Sequence, residues 1–181
     1  MGRLNDLSLA TQVAVFGNKR AFDQLMREYQ SPVRRFFLGQ TLGDEALSDD
    51  LAQDTFLKAY THIGQYRGTS SFLTWLTRIA YNVWYDHTRS DKREVKSDDL
   101  ERTTPLLSAF TSNFSLHQDL YTALAQLRDE ERTCITMQLV DGYSIDEIAG
   151  ITNMPTGTVK SHLKRGKDKM ANYLRQNGYD R

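Results

Sequence analysis

Residues 144–165 constrain the fold of this chain more than any other segment. Ser144 is followed three positions later by Glu147, and this capping-box spacing marks the start of a helix. Pro155 suits the first turn of a second helix, where its missing N–H leaves no hydrogen bond unmade. An apolar stripe at helical spacing follows: Val159, Leu163, Met170 and Leu174. A short helix, a tight turn and a longer helix in this order predict a helix-turn-helix.

The outward side of this second helix is basic and polar. It carries, away from the apolar stripe, Lys160, Ser161, Lys164 and Arg165. A cationic helix after a tight turn is the part of a helix-turn-helix that enters the major groove of DNA. A solvated helical hairpin with surface lysines has the same local pattern, so the rest of the chain must decide between the two.

Composition places the chain among globular proteins. Its 181 residues, 39% hydrophobic and 25% charged, suffice for one ordinary domain or two small ones. The sequence has no apolar run of membrane-spanning length and no N-terminal signal pattern, which predicts a cytoplasmic protein without direct membrane insertion. The one cysteine, Cys134, excludes an intramolecular disulfide, and the four histidines lack metal-ligand spacing. We therefore expect neither a metal site nor a cofactor.

The formal net charge is zero, but the charges are segregated along the chain. Residues 44–54 contain five acidic side chains and no basic one, whereas residues 67–96 and 160–175 lean basic. Separate acidic and basic surfaces allow a chain to hold a protein partner and a nucleic acid at the same time.

Periodicity along the chain is helical nearly throughout, which predicts an all-α fold. Helices are expected over about 8–17, 19–43 with a break at Ser31–Pro32, 45–63, 71–91, 116–127 and 129–141, before the helix-turn-helix. Residues 92–115 lack helical periodicity and contain a Thr-Thr-Pro sequence. The prediction is two small helical domains, residues 1–91 and 116–181, joined by a flexible linker at residues 92–115.

The third predicted helix has two different faces. Its core side carries Ala52, Phe56, Ala59 and Ile63. The opposite side carries Asp50, Gln53, Asp54 and Leu57. An acidic strip with one apolar side chain suits docking against a basic partner, although acidic helix faces are also common on surfaces that bind nothing.

The fourth predicted helix combines cationic, aromatic and amide side chains on its outward side: Arg78, Tyr81, Asn82, Tyr85 and Arg89. Unpaired bases need such a surface, because rings stack on bases, cations bind phosphate and amides bond to base edges. The polar loop at residues 66–71 directly precedes this helix and is placed to hold an extruded base. The alternative is that Tyr81 and Tyr85 merely cover a neighbouring helix.

Four segments stand at a spacing typical of one protein family. They are Asp50–Phe56, which contains Asp-Leu-x-Gln-x-x-Phe, Tyr66–Asn82, Asp141–Ala149 and Gly157–Ser161. In these segments and their order, the chain resembles the bacterial sigma-70 superfamily, specifically the two-domain extracytoplasmic-function (ECF) sigma factors. The resemblance covers nearly the whole chain and implies a role in transcription initiation with no reaction catalysed.

The resemblance implies three binding surfaces. One would dock on the β′ clamp helices of core RNA polymerase through Asp50, Gln53, Asp54 and Leu57. A second would recognise and help open the −10 promoter element as single-stranded DNA through Tyr66, Arg67, Ser70, Arg78, Tyr81, Asn82, Tyr85, Asp86 and Arg89. A third, in a domain that also contacts the β flap, would bind the −35 duplex through Thr156, Thr158, Lys160, Ser161, His162, Lys164 and Arg165.

The resemblance also implies control by an anti-sigma factor, which in many members is membrane-bound. Three positions depart from the family pattern: His162 stands where arginine is usual, Gly166 where alanine is usual, and Arg128 where proline is common. A neutral histidine weakens phosphate contact. A glycine inside a helix costs about 1 kcal/mol relative to alanine.

Two other classes of protein fit less of the chain. A one-component or response-regulator transcription factor also carries a run like Thr158–Leu163, but it would have a sensory or receiver domain upstream. Residues 1–91 show none of the strand and helix alternation of such a domain. An enzyme would need a phosphate-binding glycine loop or a nucleophile–base pattern, and the sequence contains neither.

Overall fold

The computed structural model describes residues 2–94 and 115–179, whose helices form two units of four. The first unit consists of α1 (Arg3–Phe16), α2 (Lys19–Gln40), α3 (Glu45–His62) and α4 (Phe72–Glu94), with a 3-10 turn at Ile63–Gln65. The second unit consists of α5 (Ser115–Ala125), α6 (Asp129–Leu139), α7 (Ile145–Thr152) and α8 (Thr156–Gln176). The described residues include no strand, which confirms the all-α class. Of the predicted linker, residues 95–114 lie outside the described residues.

Local sequence sets the helix boundaries of the first unit. Gly17 adopts a φ of 61°, a left-handed conformation that glycine tolerates, and ends α1. The Asn18 side chain caps α2 by accepting a hydrogen bond from a backbone N–H, and Asp44 caps α3 in the same way. Apolar side chains of the four helices then form one core, with Leu25, Phe37, Phe72 and Leu76 at its centre.

The predicted break at Ser31–Pro32 is wrong, because α2 continues through the proline. A proline inside a helix removes a hydrogen bond and costs about 3 kcal/mol. Tyr29, Val33 and Phe36, on either side of it, are all buried in the core. Burying a large apolar side chain contributes roughly 1.5–3 kcal/mol, so the packing of α2 outweighs the proline penalty.

In the second unit, α7, a tight turn and α8 follow one another as the predicted helix-turn-helix. The side chains and backbone N–H groups of Ser144 and Glu147 form the predicted capping box. Asn153 adopts a φ of 59° and ends α7, and Pro155 immediately precedes α8. The core of this unit contains Cys134, Ile135, Met137, Ile148, Ile151, Val159 and Leu163.

The two units are docked against each other, α2 on α6 and α4 on α7. Gln40, only 1% exposed, donates to Thr136 Oγ1 at 2.8 Å and accepts from Thr133 Oγ1 at 3.0 Å. Arg35 forms an ion pair with Asp141 at 3.1 Å. The contact therefore includes buried and charged polar pairs. A linker of the predicted kind permits the two units to close on each other, but the sequence did not predict which helices meet.

No helix within residues 2–94 and 115–179 combines the length and apolar character needed to cross a bilayer. The same residues include no group of three His, Cys, Asp or Glu side chains placed to hold a metal ion. The Cys134 side chain has no exposed surface, and burial raises the pKa of its thiol to about 12. Cys134 therefore packs as a small apolar residue.

Candidate protein and nucleic-acid interfaces

The acidic strip of α3 comprises Asp50, Gln53, Asp54 and Leu57, and all four side chains are exposed. The opposite side of α3 is buried through Leu51, Phe56 and Ala59, which fixes the direction in which the strip points. Leu57 leaves 60% of its surface in solvent. An exposed leucine among carboxylates offers a partner both apolar contact and charge complementarity.

A groove of about 420 Å³ lies beside the acidic strip, between α2 and α3. Its lining includes Met26, Gln30, Gln53 and Phe56. Arg34, also in the lining, pairs with Asp49 at 2.6 Å and with Glu45 at 3.2 Å. The α2 side of this surface was not predicted from the sequence, because polar and apolar residues there fit any amphipathic helix.

The 66–71 loop is shaped by Tyr66, which the sequence analysis assigned to DNA contact. The structure instead buries Tyr66, 6% exposed, with its ring centroid 5.2 Å from that of Phe72 and 5.6 Å from that of Trp75. Its hydroxyl donates to the carbonyl of Ser70 at 3.1 Å. A buried ring has no face open to a base in this conformation, so Tyr66 supports the loop from below. Arg67 is exposed and Ser70 half-buried.

The aromatic face of α4 comprises Arg78, Tyr81, Asn82, Tyr85, Asp86 and Arg89. Its outer part is open, since the side chains of Asn82, Tyr85 and Arg89 are exposed. The rings of Tyr81 and Tyr85 lie 6.3 Å apart between centroids. Asp86 is also exposed but pairs with Lys58 of α3 at 3.5 Å, so it helps hold α4 to α3. The open part offers ring, amide and cation groups to an unpaired base.

The inner part of the aromatic face contacts the second unit. Arg78 donates to the carbonyl of Gly150 in α7 at 2.7 Å. Tyr81 is half-buried, and burial raises the pKa of its hydroxyl to about 12. Beside them, the hydroxyls of Thr77 and Tyr143 are hydrogen-bonded at 2.9 Å. Arg78 and Tyr81 are thus engaged by the docked second unit.

The cationic face of α8 comprises Thr156, Thr158, Lys160, Ser161, His162, Lys164 and Arg165. All are exposed except Thr158 and His162, which are half-buried. Ser161 donates its hydroxyl to the carbonyl of Gly157 at 2.9 Å. Among the described residues, no carboxylate lies within ion-pair distance of Lys160 or Lys164. These two lysines therefore present their full charge to an anion.

Arg165 is held differently from the two lysines. Its Nε lies 3.4 Å from Glu131, a carboxylate with only 2% of its side chain exposed. Lys169 also pairs with Glu131, at 2.6 Å. Burial alone would raise the pKa of Glu131, but hydrogen bonds from Lys169 and from the Arg128 N–H lower it below 4.5. Glu131 thus anchors the end of the cationic face to α6.

A second groove, of about 340 Å³, lies between α6, α7 and α8 beside the cationic face. Its lining includes Ile145, Lys160, Leu163, Lys164 and Lys167. Lys167 was not among the predicted DNA contacts. Its helical spacing from Lys160 and Lys164 would have shown that it extends the same positive surface.

Comparison with known proteins finds similarity along both units. The family model described as Sigma-70 region 2 matches residues 25–94, and the one described as Sigma-70, region 4 matches residues 117–170. The chain is 31% identical to the RNA polymerase sigma-H factor of Pseudomonas aeruginosa over 169 residues, 84% of this chain and 85% of that protein. It is 28% identical to the ECF RNA polymerase sigma factor SigW of Bacillus subtilis over 172 residues, 88% and 91% of the two chains.

Two solved structures resemble this chain over most of its length. The sigma factor RpoE, in complex with the anti-sigma factor NepR from Bartonella quintana, has a TM-score of 0.73 at 26% identity, covering 88% of this chain and 98% of that chain. CnrH, in complex with the cytosolic domain of CnrY, has a TM-score of 0.67 at 24% identity, covering 96% and 99%. At that lower identity the likeness supports the fold alone.

Proposed function

This chain belongs to the sigma-70 family as an ECF sigma factor, and from that premise we propose that its three surfaces divide the work of promoter recognition. Sigma factors are transcription initiation factors that direct RNA polymerase to promoters, not catalysts. One observation carries the assignment of surfaces. A single chain presents an acidic strip on α3, an aromatic face on α4 and a cationic face on α8.

The acidic strip is the proposed docking site for the β′ clamp helices of core RNA polymerase. Its support is the exposure of Asp50, Asp54 and Leu57 on a helix whose other side is fixed in the core. Oppositely charged surfaces steer association, and an apolar side chain among the charges contributes buried area once they meet. The groove beside the strip would extend this contact onto α2.

The aromatic face and the 66–71 loop are the proposed site for the −10 element as single-stranded DNA. Tyr85, 51% exposed, is the ring most open to a base, and stacking a base on an aromatic ring is worth about 1–3 kcal/mol. Arg78, which is exposed but hydrogen-bonded to Gly150 of α7, and the half-buried Tyr81 lie at the inner edge of this site. Separation of the two units would free Arg78 from that hydrogen bond.

The cationic face of α8 is the proposed reader of the −35 duplex. Support comes from its position as the second helix of a helix-turn-helix and from the unpaired charges of Lys160 and Lys164. Phosphate contacts by such lysines supply affinity and orientation, whereas base-edge contacts supply sequence preference. The same unit is the proposed partner of the β flap.

Control by an anti-sigma factor is proposed on the strength of one structural neighbour. The sigma factor of Bartonella quintana, similar to this chain over 88% of the chain, is held in complex with the anti-sigma factor NepR. Since RNA polymerase and the chromosome are both in the bacterial cytoplasm, we expect this protein to act there.

The test is run-off transcription by bacterial core RNA polymerase on promoter fragments from the native genome, with and without the protein. Promoter-specific transcripts that depend on the protein are the expected result. Tight binding of the protein alone to duplex DNA, without such transcripts, would instead indicate a conventional DNA-binding regulator.

Matched variants in the same assay separate the surfaces. Asp54→Ala should weaken binding to core polymerase, whereas Glu130→Ala, a change at an exposed carboxylate on α6, should not. Tyr85→Ala should bind polymerase normally but open the −10 DNA poorly. If Tyr85→Ala opens promoters as the wild type does, the aromatic face is not the −10 site.

A further inference from the structure

The first turn of α1 holds the backbone of the 66–71 loop, although α1 precedes the residues matched by the family models. Arg3 Nε donates to the carbonyl of Gly68 at 3.1 Å. Its Nη2 donates to the carbonyl of Thr69 at 2.6 Å and also reaches Gly68. One guanidinium therefore binds two successive carbonyls, a geometry that suits its planar array of donors.

The helix that carries Arg3 is itself anchored in the first unit. Asp6, with 2% of its surface exposed, accepts a hydrogen bond from the Tyr29 hydroxyl of α2 at 2.7 Å. Burial and this hydrogen bond together raise the pKa of Tyr29. Leu9, Ala10 and Val13 continue the buried side of α1. Arg3 is thus attached to a fixed helix.

The loop is also packed against α1 at Gly68. Gly68 has a φ of 68°, a conformation that favours glycine, and a Cβ built there would lie 3.2 Å from Leu7 Cδ2. The side chains of Arg3 and Leu7 therefore both lie against the loop at Gly68. The backbone at Gly68 has little freedom to move while α1 is in place.

Together these contacts hold three consecutive carbonyls of the loop. Arg3 binds those of Gly68 and Thr69, and the buried Tyr66 binds that of Ser70. Among the described residues, none of the hydrogen bonds uses the backbone N–H groups of residues 67–70. With its carbonyls engaged by the protein, the loop retains N–H groups and the exposed Arg67 side chain as donors for an acceptor-bearing ligand.

We propose that Arg3 is a positioning residue for −10 recognition, setting the shape of the 66–71 loop and thereby its preference among extruded bases; this rests on the promoter-binding function proposed above. Arg3 acts through the loop, because its Nε and Nη2 donors are engaged by the carbonyls of Gly68 and Thr69. A loop with fixed donors discriminates between bases by leaving the wrong base unpaired. A loop without that support adapts to several bases.

The experiment compares Arg3→Ala and Arg3→Lys with Arg20→Ala, which removes another exposed arginine, at the start of α2. The first readout is the backbone order parameter of residues 66–71 in the full-length protein, measured by NMR relaxation. Removing the Arg3 contacts frees the loop backbone, so the order parameters in Arg3→Ala should fall from the rigid range of about 0.85 to below about 0.6. Arg3→Lys should be intermediate, and Arg20→Ala unchanged.

The second readout is open-complex formation by the reconstituted polymerase on an active promoter and on versions with one substituted −10 base. Arg3→Ala should lose about tenfold of the preference for the native base while keeping its affinity for core polymerase and its −35 preference. A purely structural role would lower all activities together, and a phosphate contact would lower binding equally on every sequence and flatten its salt dependence.

Either of those patterns, or unchanged order parameters in Arg3→Ala, would overturn the positioning role. So would lowered order parameters with −10 preference intact. The outcome is distinct from a failure of the proposed function, because that failure would be seen in the wild-type protein as an absence of promoter-specific transcripts.

Discussion

Gly166 lies where α8 packs tightly against α6. A Cβ built on Gly166 would lie 2.7 Å from Ile135 Cγ1, and Ile135 is itself only 1% exposed. Since both helices are held by the core of the second unit, neither can move aside without disturbing other contacts. The close packing of α6 and α8 therefore requires glycine at this position, although glycine has a lower helix propensity than alanine.

We therefore expect Gly166→Ala to destabilise the protein by about 1–3 kcal/mol, the usual range for overpacking, despite the better helix propensity of alanine. Urea denaturation measures this change. Gly157→Ala is the matched control, since a Cβ at Gly157 in the same helix meets no atom within 4 Å. If both variants are equally stable, the close approach of α6 and α8 is not a constraint.

Glu131 makes the stability of the second unit dependent on pH. Its pKa in the folded protein lies below the ordinary value of 4.5, so the folded state binds the proton more weakly than the unfolded state does. The stabilisation is therefore complete above 4.5 and is lost as the pH falls through the lower, folded value. Its source is the pairing with Lys169 and the N–H of Arg128.

The free energy of unfolding, measured from about pH 7 down to pH 3, should show this dependence. The advantage of the wild type over Glu131→Gln should be greatest near neutral pH and shrink in acid. Glu130→Gln, a change at the exposed neighbouring carboxylate, should show no comparable convergence. A constant difference between wild type and Glu131→Gln across the range would contradict the assignment.

At the scale of helices, local sequence predicts boundaries well where a cap or a left-handed residue defines them. Ser144 and Gly17 are examples. Local sequence does not predict the structure where contacts between residues far apart in the chain determine it. Pro32 is carried through α2 by buried neighbours, and Tyr66 is drawn into the core by Phe72 and Trp75. The start of α1 at Arg3, earlier than the predicted Ser8, coincides with its contact to the 66–71 loop, which no periodicity reveals.

Helix α8 should bind DNA through the exposed lysines of its cationic face, Lys160 and Lys164. Removing a phosphate-contacting lysine lowers affinity and reduces the slope of log affinity against log salt by about one. We expect this for Lys164→Ala in holoenzyme binding to a duplex −35 fragment, measured across a salt series. Lys19→Ala, an exposed lysine at the start of α2, provides the control. Equal slopes for Lys164→Ala and wild type would remove Lys164 from the interface.

At the scale of the whole molecule, docking of the two units bears on the proposed surfaces. It hydrogen-bonds Arg78 of the aromatic face to α7 while leaving the acidic strip and most of the cationic face exposed. On the proposed assignments, docking thus affects the −10 surface and leaves the polymerase-binding strip open. The sequence could not predict this, because single polar contacts between residues about a hundred positions apart leave no local pattern.

Gly39 offers a way to separate the units without damaging either one. It lies in α2, and a Cβ there would meet only Thr136 of α6, at 3.0 Å from Cγ2. We expect Gly39→Gln to increase the radius of gyration in small-angle scattering, with helix content unchanged, and to speed open-complex formation. Gly64→Gln, at a position where a Cβ meets no atom within 4 Å, should scatter as the wild type does. Unchanged scattering by Gly39→Gln would mean that the docked contact is not the dominant state in solution.

The Gln40 contact also affects hybrids in which one unit is exchanged between related proteins. The side-chain amide of Gln40 is hydrogen-bonded at both ends, to Thr133 and Thr136. A hybrid that combines this first unit with the second unit of a relative would keep Gln40 but take the residues facing it from the relative. A buried amide left without a partner costs about 1–3 kcal/mol, enough to favour the undocked form. Recombination between family members would then change the promoter that is read and also whether the two units of the hybrid are docked in the absence of polymerase.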